Sequence, residues 1–221
     1  MRANHRITIF LFVLSLFFSA CAVVQANAQK PASSDREKQA AAEFKQLLDL
    51  RKRVQMIPVN GDKRESHKSF LKANEKSVVY NDPAGQWILR SDLFWDLRDK
   101  YTDVALADDI AWEAAQNPVA GECEGYLNCG VYFWQITTVR YLGFYPVGKH
   151  SKAALGELKD SFGSYADESK SGTSYSPPEE ASDKAELQKM LEDIDAVLAK
   201  VPAAEAAEIR GFIKTIAGRY K

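Results

Sequence analysis

Cys123 and Cys129 are the residues of this chain whose type and spacing point most directly to chemistry. Five residues separate them in a glycine-rich segment, residues 121–130. This spacing is not that of a Cys-x-x-Cys redox pair, and the carboxylates of Glu122 and Glu124 disfavour the thiolate that a nucleophilic cysteine requires. We therefore predict a structural disulfide, which on a chain-entropy argument stabilises the fold by roughly 2 kcal/mol. It would fix how a helix over residues 104–116 leads into one over residues 131–143.

Metal and cofactor chemistry find little support in the sequence. A zinc site requires four nitrogen or sulfur ligands, and beyond residue 28 the only histidines are His67 and His150, at no recognised spacing. Calcium could bind carboxylates, but the alternating Asp/Asn loop with its closing Glu is missing. Phosphate-binding loops, Gly-x-Ser-x-Gly elbows and His-Glu-x-x-His helices are also missing. We predict neither a metal nor a cofactor.

Carboxylates near the cysteines offer a second kind of chemistry. They are Asp108, Asp109, Glu113, Glu122 and Glu124. Two carboxylates at a suitable separation can act as acid and base in the hydrolysis of a polymer. Acidic residues at the start of a helix are also favoured by the helix macrodipole. Hydrolysis of an envelope polymer therefore stays an alternative function, and we lean toward a protein that is not an enzyme.

Aromatic side chains form a third candidate site. All four tryptophans fall between residues 87 and 134. Flat rings give a binding surface large contact area at little entropy cost. The candidate surface residues are Trp87, Trp95, Trp112, Tyr126, Trp134 and Tyr145. Most of them recur at helical spacing together with aliphatic residues, so packing in the core is the competing interpretation.

The first 28 residues have the pattern of a signal peptide. Arg2 and Arg6 precede an apolar run over residues 7–18, and Ala26-Asn27-Ala28 offers the small-x-small cleavage site. The mature protein would be periplasmic or secreted, in an oxidising compartment where a disulfide persists.

Two alternatives keep the N-terminal segment attached to a membrane. The sequence Phe18-Ser19-Ala20-Cys21 resembles a lipobox, which would make Cys21 a lipidation site and the protein an envelope lipoprotein. The apolar run is also just long enough to remain as an uncleaved anchor.

The elements that would position these residues are mainly helical. Apolar residues recur at three- and four-residue steps over residues 36–54, 91–101, 104–116, 131–143 and 155–162, which together form a helical body over residues 29–163. Between the first two stretches, residues 78–80 and 87–89 flank a turn-forming segment that contains Pro83 and Gly85. This pattern predicts a small β-hairpin that lies on the helices.

The C-terminal part of the chain divides into a connector and a helical hairpin. Residues 164–181 are rich in Ser, Gly, Glu and Pro, which is typical of a flexible linker. Residues 182–221 carry two amphipathic stripes, and Pro202 stands at the first position of the second helix. We expect the hairpin to pack on itself and on the body. It is also an alternative working surface.

Two segments of the body resemble each other. Leu97-Arg98-Asp99-Lys100-Tyr101 and Leu142-Gly143-Phe144-Tyr145-Pro146 each precede a helix, and their tyrosines are 44 residues apart. Tyr145-Pro146, followed by Ala154, is similar to the joints of tetratricopeptide-like helical repeat proteins of the bacterial envelope. The period differs from the usual 34 residues, and the Trp-Leu-Gly-Tyr opening is missing. The resemblance implies a solenoid-like α-helical scaffold that presents a concave face to a peptide or protein.

These observations together favour a binding protein. The formal net charge of -1 gives no reason to expect a nucleic-acid partner. We predict an exported helical scaffold that engages a protein or peptide in the cell envelope. Contact with a membrane is expected only through a lipid at Cys21 or an uncleaved N-terminal segment.

Overall fold

The computed structural model describes residues 30–59, 61–167 and 175–221. Its helices are α1 (Lys30–Gln55), α2 (Glu65–Ala73), α3 (Asp92–Lys100), α4 (Ala107–Gln116), α5 (Leu127–Trp134), α6 (Arg140–Phe144), α7 (Ser151–Ala166), α8 (Ala181–Leu198) and α9 (Ala204–Arg219). A 3-10 turn, Gly61–Lys63, precedes α2, and a π-helical turn, Gln135–Val139, joins α5 to α6. Strands β1 (Val78–Asn81) and β2 (Gln86–Leu89) form a two-stranded sheet. The prediction of a mainly helical chain is confirmed.

The N-terminal predictions lie outside this structure. The signal peptide over residues 1–28 and the lipidation site Cys21 both precede the first described residue. Within the described ranges, no helix combines the length and the apolar character needed to cross a membrane.

The predicted β-hairpin is confirmed. Val78 pairs with Leu89 and Tyr80 with Trp87 in antiparallel register. Gly85 closes the turn with a φ of 62°, a conformation that glycine adopts without steric cost. The Tyr80 and Trp87 ring centroids are 5.4 Å apart, and the strands bury Val78 and Leu89 beneath α1. A two-stranded hairpin is marginal alone, so its packing on α1 stabilises it.

Helices α5 and α6 form one continuous helical segment interrupted by the π turn. The Thr137 hydroxyl donates a hydrogen bond to the Phe133 carbonyl at 2.5 Å, and such bonds compete with the helical ladder. The buried Thr138 hydroxyl donates to Glu157 of α7 at 3.1 Å. A π turn holds one extra residue, so it changes which side chains face each neighbouring helix.

The main core joins the body to the C-terminal hairpin. Leu158 and Phe162 of α7 share one buried cluster with Leu187 of α8 and with Ile209 and Ile213 of α9. Helix α7 meets α9 at Gly163, where a Cβ would be in ordinary van der Waals contact with the ring of Phe212, at 3.4 Å. A smaller cluster buries Tyr101 and Ile110 between α1, α3 and α4.

The tetratricopeptide-like arrangement is not confirmed. Tyr101 follows α3 and leads toward α4, whereas Tyr145 follows α6 and leads toward α7. The two tyrosines do not occupy equivalent positions, since Tyr101 is fully buried within the smaller cluster, whereas Tyr145 is only partly buried and packs against that cluster and against Tyr141. Similar joints in the sequence therefore do not give stacked, equivalent helix pairs.

Candidate binding groove at the cysteine loop

The predicted disulfide is present. The sulfurs of Cys123 and Cys129 are bonded, and their Cα atoms are 5.2 Å apart. Cys129 belongs to the first turn of α5, so the bond attaches the loop of residues 121–130, here called the cysteine loop, to that helix. Gly121 and Gly125 have φ values of 114° and 79°, and Glu124 has a φ of 45°. A positive φ is uncommon for a residue with a side chain, and here the disulfide and its neighbours hold it.

The cysteine loop also holds the end of the connector. Tyr126 and Ser176 form a parallel β-bridge, in which the Ser176 N–H donates to the Gly125 carbonyl at 2.7 Å and the Leu127 N–H donates to the Ser176 carbonyl at 3.1 Å. The Asn128 side chain donates to the carbonyl of Asp183 at 2.8 Å. Residues 175–183 are thereby fixed beside the start of α5.

These contacts border an open cavity of about 680 Å³ between the cysteine loop, α5 and the start of α8. We call it the acidic groove. Four carboxylates lie along it: Glu179, Glu180, Asp183 and Glu186. None of the residues that line it is Lys, Arg or His.

Two tyrosines of the acidic groove are open to solvent. Tyr126 on the cysteine loop is 56% exposed, and Tyr132 on α5 is 47% exposed. An exposed ring beside carboxylates can attract a cation through its π face while the carboxylates bind the same charge. The chemistry of the groove therefore favours a positively charged ligand.

Most of the predicted aromatic surface lies in packing contacts instead. Trp95 is buried beneath the guanidinium of Arg140, which lies 4.2 Å from the ring centroid. Trp112 is stacked on His150, with ring centroids 5.1 Å apart. Three more positions are partly buried: Trp87 packs against Tyr80, Trp134 donates to the hydroxyl of Tyr165, and Tyr145 accepts from Arg98. Of the six, Tyr126 is the one that faces the groove.

The acidic residues of α4 join this helix to α1, to α6 and to the start of α7. Asp108 accepts hydrogen bonds from the Tyr141 hydroxyl and the Lys149 N–H, each at 2.7 Å. Asp109 accepts from Lys149 Nζ at 2.7 Å and lies 2.6 Å from His150 Nε2. Glu113 is paired with Arg51 of α1. Each of these carboxylates thus has a structural partner.

The pKa values in this network follow from the same contacts. Burial tends to raise the pKa of Asp109, but hydrogen bonds from Lys149 and His150 outweigh it and leave the pKa below its ordinary value. Burial, with the nearby carboxylate of Asp108, raises the pKa of Tyr141 well above its ordinary value. Both groups are therefore held in the protonation states that their hydrogen bonds require at neutral pH.

Glu122 and Glu124, the other two carboxylates considered for hydrolysis, are exposed on the cysteine loop. No group of three or more His, Cys, Asp or Glu residues in the described part of the chain is arranged to hold a metal ion.

Sequence analysis did not identify most of the acidic groove. The sequence indicates Tyr126 as a binding residue but does not bring it together with the four carboxylates: Glu179 and Glu180 belong to the predicted linker, and Asp183 and Glu186 belong to the predicted C-terminal hairpin. Comparison of the chain with models of protein families, with curated proteins and with solved structures finds no significant match.

Proposed function

We propose that the protein is an exported, non-enzymatic helical scaffold whose acidic groove binds a basic segment of a protein or peptide. The observation that carries this proposal is the composition of the groove: four carboxylates and two exposed tyrosines without a basic residue among those lining it. Lysine and arginine side chains match this composition, because they carry charge, several N–H donors and an apolar stem.

The helix dipole accounts for part of the acidic character. Asp183 lies in the first turn of α8, where a carboxylate stabilises the partial positive charge of the helix end. The dipole does not explain why Tyr126 and Tyr132, from two other segments, expose their rings to the same cavity. Ligand binding accounts for both features.

The disulfide supports the proposal in two ways. It fixes the loop that carries Tyr126 before any ligand arrives, and a preorganised site loses less entropy on binding. A disulfide of this kind also persists mainly in oxidising compartments, which agrees with the export predicted from residues 1–28. Free, readily alkylated thiols at both Cys123 and Cys129 in natively isolated protein would contradict export.

Hydrolysis by the carboxylates of α4 stays a prediction that no contact among the described residues favours. The carboxylates of Asp108, Asp109 and Glu113 already form hydrogen bonds or ion pairs. Their partners are Tyr141, Lys149, His150 and Arg51.

Binding of a labelled oligolysine peptide at low and physiological salt tests the proposal. Glu186→Lys reverses a charge inside the acidic groove, and Glu192→Lys makes the same change on an exposed position of α8 outside it. Reversing one charge about 6 Å from a bound lysine in a water-like dielectric costs about 1.4 kcal/mol, roughly a tenfold loss of affinity. We expect this loss for Glu186→Lys, at most a twofold effect for Glu192→Lys, and weaker binding as salt increases.

Tyr126→Ala combined with Tyr132→Ala tests the contribution of the rings. We expect weaker binding with an unchanged salt dependence, because the rings carry no net charge.

Equal losses of oligolysine affinity in Glu186→Lys and Glu192→Lys would show that the peptide does not bind in the groove.

A further inference from the structure

A second cavity continues the acidic groove along the same pair of helices. It measures about 490 Å³ and is lined mainly by apolar side chains, among them Ile136 and Val139 of the π turn, Phe144 of α6 and Val197 of α8. Its polar neighbours are Gln135, Arg140 and Asp193. Both cavities therefore lie between the α5–α6 segment and α8.

The lining residues show that the two cavities are consecutive. On α8 they are Asp183, Glu186, Met190, Asp193 and Val197, which recur every three or four residues and so share one helical face. At one end the Asn128 side chain bonds to the Asp183 carbonyl. At the other end a Cβ on Gly143 would lie 3.9 Å from Val197. The helices thus run side by side in the same direction, and the groove between them follows both.

This interhelical groove has a definite length. Residues 183 and 197 of α8 are 14 positions apart, which corresponds to about 21 Å at 1.5 Å per residue. The groove therefore matches an α-helix of about four turns.

The groove also has a definite polarity. The end at the cysteine loop carries the four carboxylates and the tyrosines, whereas the far end is mainly apolar and its two charged residues, Arg140 and Asp193, have opposite signs. Phe144 at the far end is 39% exposed, and the guanidinium of Arg98 lies 3.6 Å from its ring centroid, which holds the ring in place. A ligand that complements the whole groove must be basic at one end and apolar toward the other.

The walls of the groove favour a helical ligand over an extended one. Beyond the cysteine loop and residues 176–180 at the acidic end, both walls are helices whose backbone groups are bonded internally, so they offer no row of free N–H and C=O groups to an extended peptide. A helical ligand satisfies its own backbone and presents side chains at i, i+3, i+4 and i+7, the standard mode of helix-in-groove recognition.

From these observations, and on the premise that the acidic groove binds a basic segment, we infer that the partner is an amphipathic α-helix of about four turns. Its basic end lies at the cysteine loop, and its apolar stripe lies against Ile136, Phe144 and Val197. Gly143 keeps the far end open, because it is exposed and has no side chain to fill the space beside Val197.

Two synthetic 16-residue peptides of identical composition test this inference. One has lysines at one end and leucines at helical spacing along one face, and the other has the same lysines with the leucines scrambled around the helix. We expect the striped peptide to bind at least tenfold more tightly than the scrambled one and to gain helical circular dichroism on binding. Equal affinities would overturn the inference.

A matched pair of protein variants locates the contact. Gly143→Gln places a side chain in the far end of the groove, whereas Gly156→Gln adds the same group to an exposed position of α7 with nothing within 4 Å. We expect Gly143→Gln to weaken the striped peptide about tenfold and the scrambled one less than twofold, with no effect of Gly156→Gln. If Gly143→Gln leaves the affinities of both peptides unchanged, the inference is also overturned.

The same measurements separate this inference from the proposed function. If Glu186→Lys weakens both peptides equally and Gly143→Gln weakens neither, the acidic groove binds basic segments but its extension is not used. If Glu186→Lys has no effect, the proposed function itself is wrong. Sedimentation of the protein alone adds one more outcome: a dimer that Gly143→Gln dissociates would show that a second copy occupies the groove, and would overturn the inference.

Discussion

Removal of the disulfide is the perturbation whose effect can be worked out most fully from the structure. Replacing Cys123 and Cys129 by Ser opens a loop of seven residues, since the two cysteines are six positions apart. The chain-entropy relation gives about 2 kcal/mol for a loop of this length. This value is the loss of unfolding free energy expected if the native contacts of the loop survive unchanged.

The contacts of the loop adjust this value in two directions. The hydrogen bonds between Gly125, Leu127 and Ser176 depend on the position of the loop, and losing both would cost about 2 kcal/mol more. The backbone of Glu124 would leave its positive φ once the loop is free, and the released strain offsets about 1 kcal/mol of the loss in unfolding free energy. We therefore expect the double variant to be less stable by about 2–3 kcal/mol.

Urea unfolding followed by circular dichroism and tryptophan fluorescence measures this difference. The oxidised wild type, the reduced wild type and the double Ser variant should be compared. The last two should agree, and added reductant should not change the variant. A loss below about 0.5 kcal/mol would refute the argument that the bond limits the unfolded chain. Oligolysine binding by the variant should weaken as well, because Tyr126 and residues 175–178 lose their fixed positions.

Three further predictions concern the junction between α4 and α7. Tyr141→Phe removes one of the two donors to Asp108 and the acceptor of the His150 N–H. We expect the unfolding free energy in urea to fall by about 1–2 kcal/mol, because the partly buried His150 N–H is left without its acceptor; an unchanged value would contradict this. Gly148→Ala would place a methyl group 2.6 Å from the Tyr141 hydroxyl, so a loss of about 1–3 kcal/mol is expected in the same assay, and normal stability would show that the junction yields easily. In the folded protein the pKa of Asp109 lies below its ordinary value of 3.8. The ionised carboxylate therefore stabilises the fold fully above about pH 4, and this stabilisation is lost as the pH falls further. The melting temperature of Asp109→Asn should fall less than that of the wild type between about pH 4 and 2, and parallel curves would exclude this role.

The sequence predicted the features that depend on local pattern. The periodicity over residues 104–116 corresponds to α4, and the periodicity over 131–143 lies within the α5–α6 segment. The disulfide followed from the short spacing of two cysteines in a loop with three glycines. In each case, residues that are close in the sequence determine the structure.

The acidic groove could not be predicted in this way, because its residues meet through a distant contact. Tyr126 and Ser176 are 50 positions apart in the sequence and pair only as an isolated bridge. The π turn at Gln135–Val139 was also missed, since a helical stripe fits an α-helix and a π-interrupted helix almost equally well. Which side of α5 stays exposed depends on where α8 packs, and nothing within α5 encodes that position.

The place of α9 in the fold has a consequence for the order of folding. Ile209 and Ile213 are buried against Leu158 and Phe162 of α7, although about 50 positions separate the two pairs in the sequence. Contacts between such distant positions must first close a long loop, so they slow folding. Until α9 docks, α7 exposes the apolar face that α9 later covers, and an intermediate of this kind is prone to aggregate.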